Sequence, residues 1–228
     1  MITQRKPKLE PRCLIHNGKS YVGVTSAMKL VKQILGEPED YYGPPALAKI
    51  HQLEGTAAHA ACLDWLAHAH GWLPTYEAPA WPREHGDERR WGNVLHAALK
   101  GFAEFVQEYE IEPIAIEQAS TSSAYGLIGH IDLFASMKYK RHRVKAVIDL
   151  KFVSVLMESH RLQVRCYSRL DGFRDAQYGI LFHGNRNTGE WKAEPVDLTV
   201  GLEDVAAVAN AARLYSWSEQ KKGQSCSA

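Results

Sequence analysis

Apolar positions along the chain change period part-way. Residues 25–35 carry them at helical spacing, with Thr25 or Ser26 as the expected N-cap, and residues 46–69 continue that period through Ala58, Cys62, Trp65 and Leu66. The Gly-, Pro- and acid-rich stretch 36–45 predicts a loop, as does 71–92, which carries Trp72, Trp81 and Trp91; helical spacing returns over 94–109. Three β-rich runs follow, 114–119, 126–136 and 144–152, separated by small or polar residues as in a meander. A helix over 154–171 comes next. Strands at 178–183 and 191–197 flank the Asn- and Gly-containing turn 184–190, and a final helix spans 202–220. Residues 1–22 predict an arm leading into a short strand at 20–24. This order predicts a mixed α/β layer arrangement, and the strand–helix alternation is too irregular for a doubly wound sheet.

Two acidic positions break the apolar β pattern. Asp149-Leu150-Lys151 closes one strand, placing a carboxylate and an ammonium on the same face; Gly129-His130-Ile131-Asp132 puts a second acid on the preceding strand. Neighbours in a meander bring Asp132 and Asp149 to one sheet edge. Two carboxylates held so close repel unless a cation neutralises them, and oxygen ligands suit Mg²⁺ or Mn²⁺. Lys151 would then orient a water and stabilise charge on a phosphate. An Asp-x-Lys triplet alone is ordinary surface charge. Here Glu117 lies on the strand before, and Gln163 and Tyr167, four apart, share a helix face on the element after. The alternative for that helical pair is a core tyrosine beside a capping amide. His59, on an Ala-rich helix, is either a structural histidine or a ligand.

Gly129-x-x-Asp132, Asp149-x-Lys151 and Gln163-x-x-x-Tyr167, in this order, resemble the motif series of the PD-(D/E)xK nucleases, in the branch of the RecB nuclease domain and phage exonucleases. Gly55-Thr56-Ala57-Ala58-His59 resembles that branch's Gly-x-x-x-His element, and Tyr21-Val22-Gly23-Val24-Thr25 its opening segment, so the resemblance spans roughly residues 21–197. It implies a restriction-endonuclease-like core, a mixed β-sheet flanked by helices, in a single domain over 1–228 with an arm at 1–20 and a tail at 221–228. It also implies a DNA exonuclease of recombination, repair or processing. A restriction-like or structure-specific endonuclease and a catalytically silent DNA-binding protein are the alternatives. The implied metal ligands are His59, Asp132, Asp149 and the Leu150 carbonyl, with His59 favouring Mn²⁺. Lys151 would position the attacking water, Gln163 and Tyr167 would hold the site's edge or the DNA backbone, and Glu117 would be a ligand or an outer group. Asp replaces Glu in the triplet and no Pro precedes Asp132, both of which suit the RecB-like branch.

Composition alters this picture little. Lys and Arg number 27 against 26 acids, a net +1, so any DNA-binding groove must be local. Lys138, Lys140, Arg141, His142, Arg143 and Lys145 are expected to supply it beside the acids. The four cysteines are scattered, which predicts neither a disulfide framework nor a cysteine-bound iron–sulfur cluster, and fits a bacterial or phage-infected cytoplasm. No membrane span, zinc-protease motif or ATP-binding loop is expected. DNA and a single-strand annealing or recombination protein are the expected partners. The sequence leaves exonuclease polarity, strand preference, metal count and oligomeric state open.

Overall fold

The computed structural model describes residues 13–16, 19–37, 45–72 and 88–225. In chain order these form β1 (Cys13–His16), β2 (Lys19–Gly23), α1 (Val24–Leu35), α2 (Pro45–Ala69) and α3 (Glu88–Glu108). There follow β3 (Glu112–Ser122), β4 (Leu127–Tyr139), β5 (His142–Lys151), α4 (Glu158–Tyr167), β6 (Tyr178–Gly184), β7 (Trp191–Val196) and α5 (Leu202–Ser225). The fold is mixed α/β, with helices on both faces of a mixed sheet, the arrangement expected of a restriction-endonuclease-like core.

The strands run β1-β2-β4-β5-β6-β7, with β3 on β4; β2–β4 and β5–β6 are parallel, the other pairs antiparallel. The sheet divides two cores. On one face Val147, Phe134 and Leu181 pack with Met28 of α1, Val164 of α4 and Val208 of α5. On the other, Ile148, Leu133 and Phe182 pack with Cys62 and Leu66 of α2 and Phe102 and Phe105 of α3. A strand buried on both sides reads as a continuous apolar run, which is why residues 146–148 are Ala-Val-Ile. Among the described residues, no helix is long and apolar enough to cross a membrane.

Several boundaries differ from the sequence expectation. The N-terminal arm contains β1, which pairs antiparallel with β2, His16 in register with Lys19. α1 begins one residue before Thr25, capped by extended Gly23 without a side-chain bond, so neither Thr25 nor Ser26 is the N-cap. The expected helix over 154–171 shortens to α4, entered where His160 Nδ1 accepts the Met157 N–H, and the segment after it ends in a 3-10 turn at Asp171–Phe173. α3 starts early enough to include Trp91, and α5 runs into the expected tail, to Ser225.

Candidate active site

The site lies where the sheet forks. One edge of β4 pairs with β3 along nearly its whole length; the other pairs with β2 only at Leu127 and Ile128, and with β5 only from Leu133 onward. Residues 129–132 of β4 therefore face the gap between β2 and β5. The β4–β5 ladder stops at Leu133↔Ile148, one step before Asp132 would meet Asp149. There Asp132 Oδ2 accepts the Leu150 N–H at 2.7 Å, so a side chain takes up a backbone donor as the strands part.

β4 also resets its pleat at this point, together with its other neighbour β3. Strict alternation would send Ile131 and Leu133 to one face, yet they belong to opposite cores. Across the pair, the register passes from Ile116↔Leu133 to Gln118↔Ile131, leaving Glu117 opposite Asp132. Glu117 has φ +47°, a left-handed conformation that a non-glycine residue adopts only under constraint. This break turns Glu117 and Asp132 toward His59 on α2. His59 Nε2 stands 3.0 Å from Asp132 Oδ2, and its Nδ1 stands 3.6 Å from Glu117 Oε1. One ligand atom from each of the three lies within 4.8 Å of the others.

Asp149 is fully buried; the Lys151 ammonium approaches its Oδ2 at 2.6 Å as an ion pair, and Oδ1 has no hydrogen-bond partner. Burial, against the pull of Lys151 and with the push of Asp132, raises the Asp149 carboxyl to about 6. Burial and the neighbouring Asp132 likewise raise Glu117 to about 7. Burial opposes a charged imidazole at His59, but Asp132, Glu117 and Asp149 together lift it to about 9. Burial would raise Asp132 too, but His59 and then Lys151 hold it below its ordinary value. Three carboxylates thus share two cationic side chains, and the buried Oδ1 of Asp149 is left without a donor. That donor set fits a divalent cation held by hard oxygen atoms and one imidazole.

α4 closes the site from the other side. Gln163 Nε2 donates to the Tyr167 hydroxyl at 2.8 Å, and Tyr167 also shares a side-chain hydrogen bond with Thr25. Burial, then the charges of Asp132 and Asp149, push the Tyr167 phenol far up, so it stays neutral. Tyr167 belongs to the core as well as bordering the acids. It explains Gly129, where a Cβ would fall 2.9 Å from the Tyr167 ring. No such reason exists at Gly55, whose Cβ would meet only the Phe152 carbonyl at 3.8 Å.

The basic cluster is a correction. Lys138, Arg143 and Lys145 pair with Glu110, Glu112 and Asp175, and Lys140 and Arg141 occupy the β4–β5 hairpin tip. That tip is eight residues along β4 from Asp132, about 25 Å in an extended strand. Of the tryptophans expected in one loop, Trp81 lies outside the described residues, Trp91 belongs to α3, and Trp72 is partly exposed. Cys62 and Cys166 are free and buried, and burial pushes both thiols up. Sequence reasoning missed a second charged cluster. Glu54, fully buried on α2, accepts from Arg90 Nε at 2.8 Å and Arg186 Nε at 3.1 Å, with His51 Nδ1 at 2.9 Å.

The strain at Glu117 carries a test. Glu117→Gly and Glu117→Ala both remove the carboxylate, but only glycine relaxes a positive φ. The Gly variant should be more stable than the Ala variant by about 1 kcal/mol, reversing the usual order within a strand. Metal-free thermal melts compare the two directly, and an Ala variant at least as stable would show that no strain is held there.

No family model matches the chain, and no curated protein does. Among solved structures, LHK-Exo in complex with dAMP is similar with a TM-score of 0.39 and 10% identity, over 76% of this chain and 95% of that one. SSO0001 is similar with a TM-score of 0.33 and 11% identity, over 84% and 83%. At such distances the functional reading rests on the geometry of the fork itself.

Proposed function

We propose that this protein is a divalent-metal-dependent DNA nuclease. The observation that carries the reading is Asp149: a fully buried carboxylate whose Oδ1 has no hydrogen-bond partner and whose Oδ2 meets only the Lys151 ammonium, facing the His59–Glu117–Asp132 triangle. An ion held by Asp132, Asp149, His59 and the Leu150 carbonyl would resolve that arrangement, with Glu117 as a further ligand or an outer group. Mg²⁺ and Mn²⁺ both suit the donors, and the imidazole favours Mn²⁺. Such an ion supplies Lewis-acid stabilisation of phosphate oxygens and lowers the pKa of a ligated water.

The chain's own groups divide the remaining work. Lys151, on the same strand face as Asp149, places its ammonium where a non-bridging phosphate oxygen gathers charge and where an attacking water can be oriented. Asp132, fixed by the Leu150 N–H and by His59, cannot swing away when charge changes nearby. Gln163 and Tyr167 form a neutral hydrogen-bonding wall that excludes water from the acids and can donate to a phosphodiester. Exonuclease action is the favoured form, on the motif resemblance, and endonuclease action the alternative. End-labelled linear DNA and covalently closed circular DNA, each with Mg²⁺, Mn²⁺ or EDTA, test both. Metal-dependent loss of the linear substrate alone is the expected result. Nicking of the circle would make the protein an endonuclease, and no cleavage of either would refute the reading.

His59 separates ligand from scaffold. His59→Ala should raise the Mn²⁺ concentration for half-maximal cleavage roughly tenfold or more, at least the scale seen when only a partner of a ligand is lost. An unchanged metal midpoint with a lowered melting temperature would make His59 a structural residue.

A further inference from the structure

We infer that a cationic trough beside Lys151 carries the sugar–phosphate backbone of the DNA strand being cut, away from the scissile bond; this rests on the nuclease reading above. The trough starts at the catalytic strand. Lys151 registers with His183 on β6, one strand away, and His183 lies on the same sheet face. A cavity of about 720 Å³ opens there, walled by the Phe152–Ser154 segment on one side and by Arg186, Asn187 and Lys192 on the other. A second cavity of about 400 Å³, walled by Arg89, Arg90 and Asn93 of α3, shares Asn187 with the first. The two together extend from the end of β5 to the start of α3.

The charge suits a polyanion. Arg89, Arg90, Arg186 and Lys192 bring four positive charges; Glu54 beneath the wall and Glu190 on the rim subtract two. The walls are fixed rather than loose. Arg186 Nη1 donates to the Phe152 carbonyl at 2.8 Å while its Nε holds Glu54, so one guanidinium ties the β6–β7 hairpin to α2 and to the residue after Lys151. A His183 Nε2 contact of 2.6 Å to the Val153 carbonyl fixes the opposite rim. α3 and the hairpin meet backbone to backbone: a Cβ on Gly101 would collide with the Gly189 carbonyl, and Gly189 itself has φ +78°. This cradle continues the active-site edge with polar donors, whereas the basic residues at the β4–β5 tip stand about 25 Å along the strand from Asp132.

The test is binding of a fluorescein-labelled 20-nucleotide DNA strand in Ca²⁺, followed by anisotropy over a range of salt concentrations. Replacing a cation that contacts one phosphate should lower the slope of log affinity against log salt by about 0.7 for a single strand. Lys192→Ala and Arg89→Ala should each show that loss with a several-fold weaker Kd at moderate salt, and the double variant should lose about twice the slope. Lys140→Ala at the distant hairpin tip should leave the slope at the wild-type value. Wild-type slope and affinity in the Lys192 and Arg89 variants, folded by circular dichroism, would overturn the trough, as would a wild type that binds no DNA. A wild type that binds with these effects but never cleaves would uphold the trough and sink only the nuclease reading.

Discussion

Asp149→Asn should reduce metal-dependent cleavage by about 10³-fold or more, on the scale of removing one preorganised charge-stabilising group, while the folded protein persists. The substitution keeps the side chain's shape inside a fully buried position, so packing is preserved. It deletes a buried carboxylate whose Oδ1 has no hydrogen-bond partner, and it ends the repulsion with Asp132. Lys151 loses its 2.6 Å partner, which offsets part of that relief. Loss of activity without loss of near-ultraviolet circular dichroism is the expected pattern. Wild-type-like turnover would remove Asp149 from the chemistry, and an unfolded variant would make its role structural. Asp132→Ala and Lys151→Ala should lose activity on a similar scale.

Glu54→Ala should cost roughly 3 kcal/mol of stability, the lower end for removing one partner of a buried ion pair, because Arg90 is about half exposed and can rehydrate. For a chain of this size that is about 6–12 °C in melting temperature. Burial would raise the Glu54 carboxyl, but the bonds and charges of Arg90 and Arg186 outweigh it and hold it below the usual range. Its contribution is therefore full above the ordinary carboxylate pKa and lost as pH falls below it. Arg186, which also holds the Phe152 carbonyl, would lose its counter-ion in a largely buried place. A melting temperature within a degree or two of wild type at pH 7 would show that the cluster contributes no net stability.

Local pattern made the meander legible, and with it Asp132 and Asp149 as neighbours. The short segments at residues 131–135 and 146–150 are nearly continuous apolar runs, each broken by one acid, and the connection between their strands is two residues long. The pleat reset at Glu117 was not legible, since a left-handed glutamate carries no compositional sign of the kind Gly or Asn gives. Thr25 misled for the opposite reason: a strong N-cap former sits inside α1, where its side chain serves Tyr167 instead. Glu54 and Arg186 are 132 residues apart, and Arg186 lies in an Asn-Arg-Asn turn that reads as solvated. The basic run at 138–145 failed because counting charges along the sequence ignores which end of a hairpin they occupy.

The central claim is that the fork binds a divalent cation, and calorimetric titration of Mn²⁺ into metal-free protein tests it most directly. His59 is raised to about 9, Glu117 to about 7 and Asp149 to about 6, and below those values each holds a proton in the metal-free site that a cation must displace. Each raised group stabilises the metal-free fold below its unfolded pKa and loses that contribution as pH rises through the folded value. Mn²⁺ should therefore bind more tightly as pH increases from 6 to 9. Its measured heat should vary with the ionisation enthalpy of the buffer, showing net proton release, and Asp132→Asn should abolish saturable binding. Absence of saturable Mn²⁺ binding to the wild type at millimolar metal, or binding that survives unchanged in Asp132→Asn, would contradict the account.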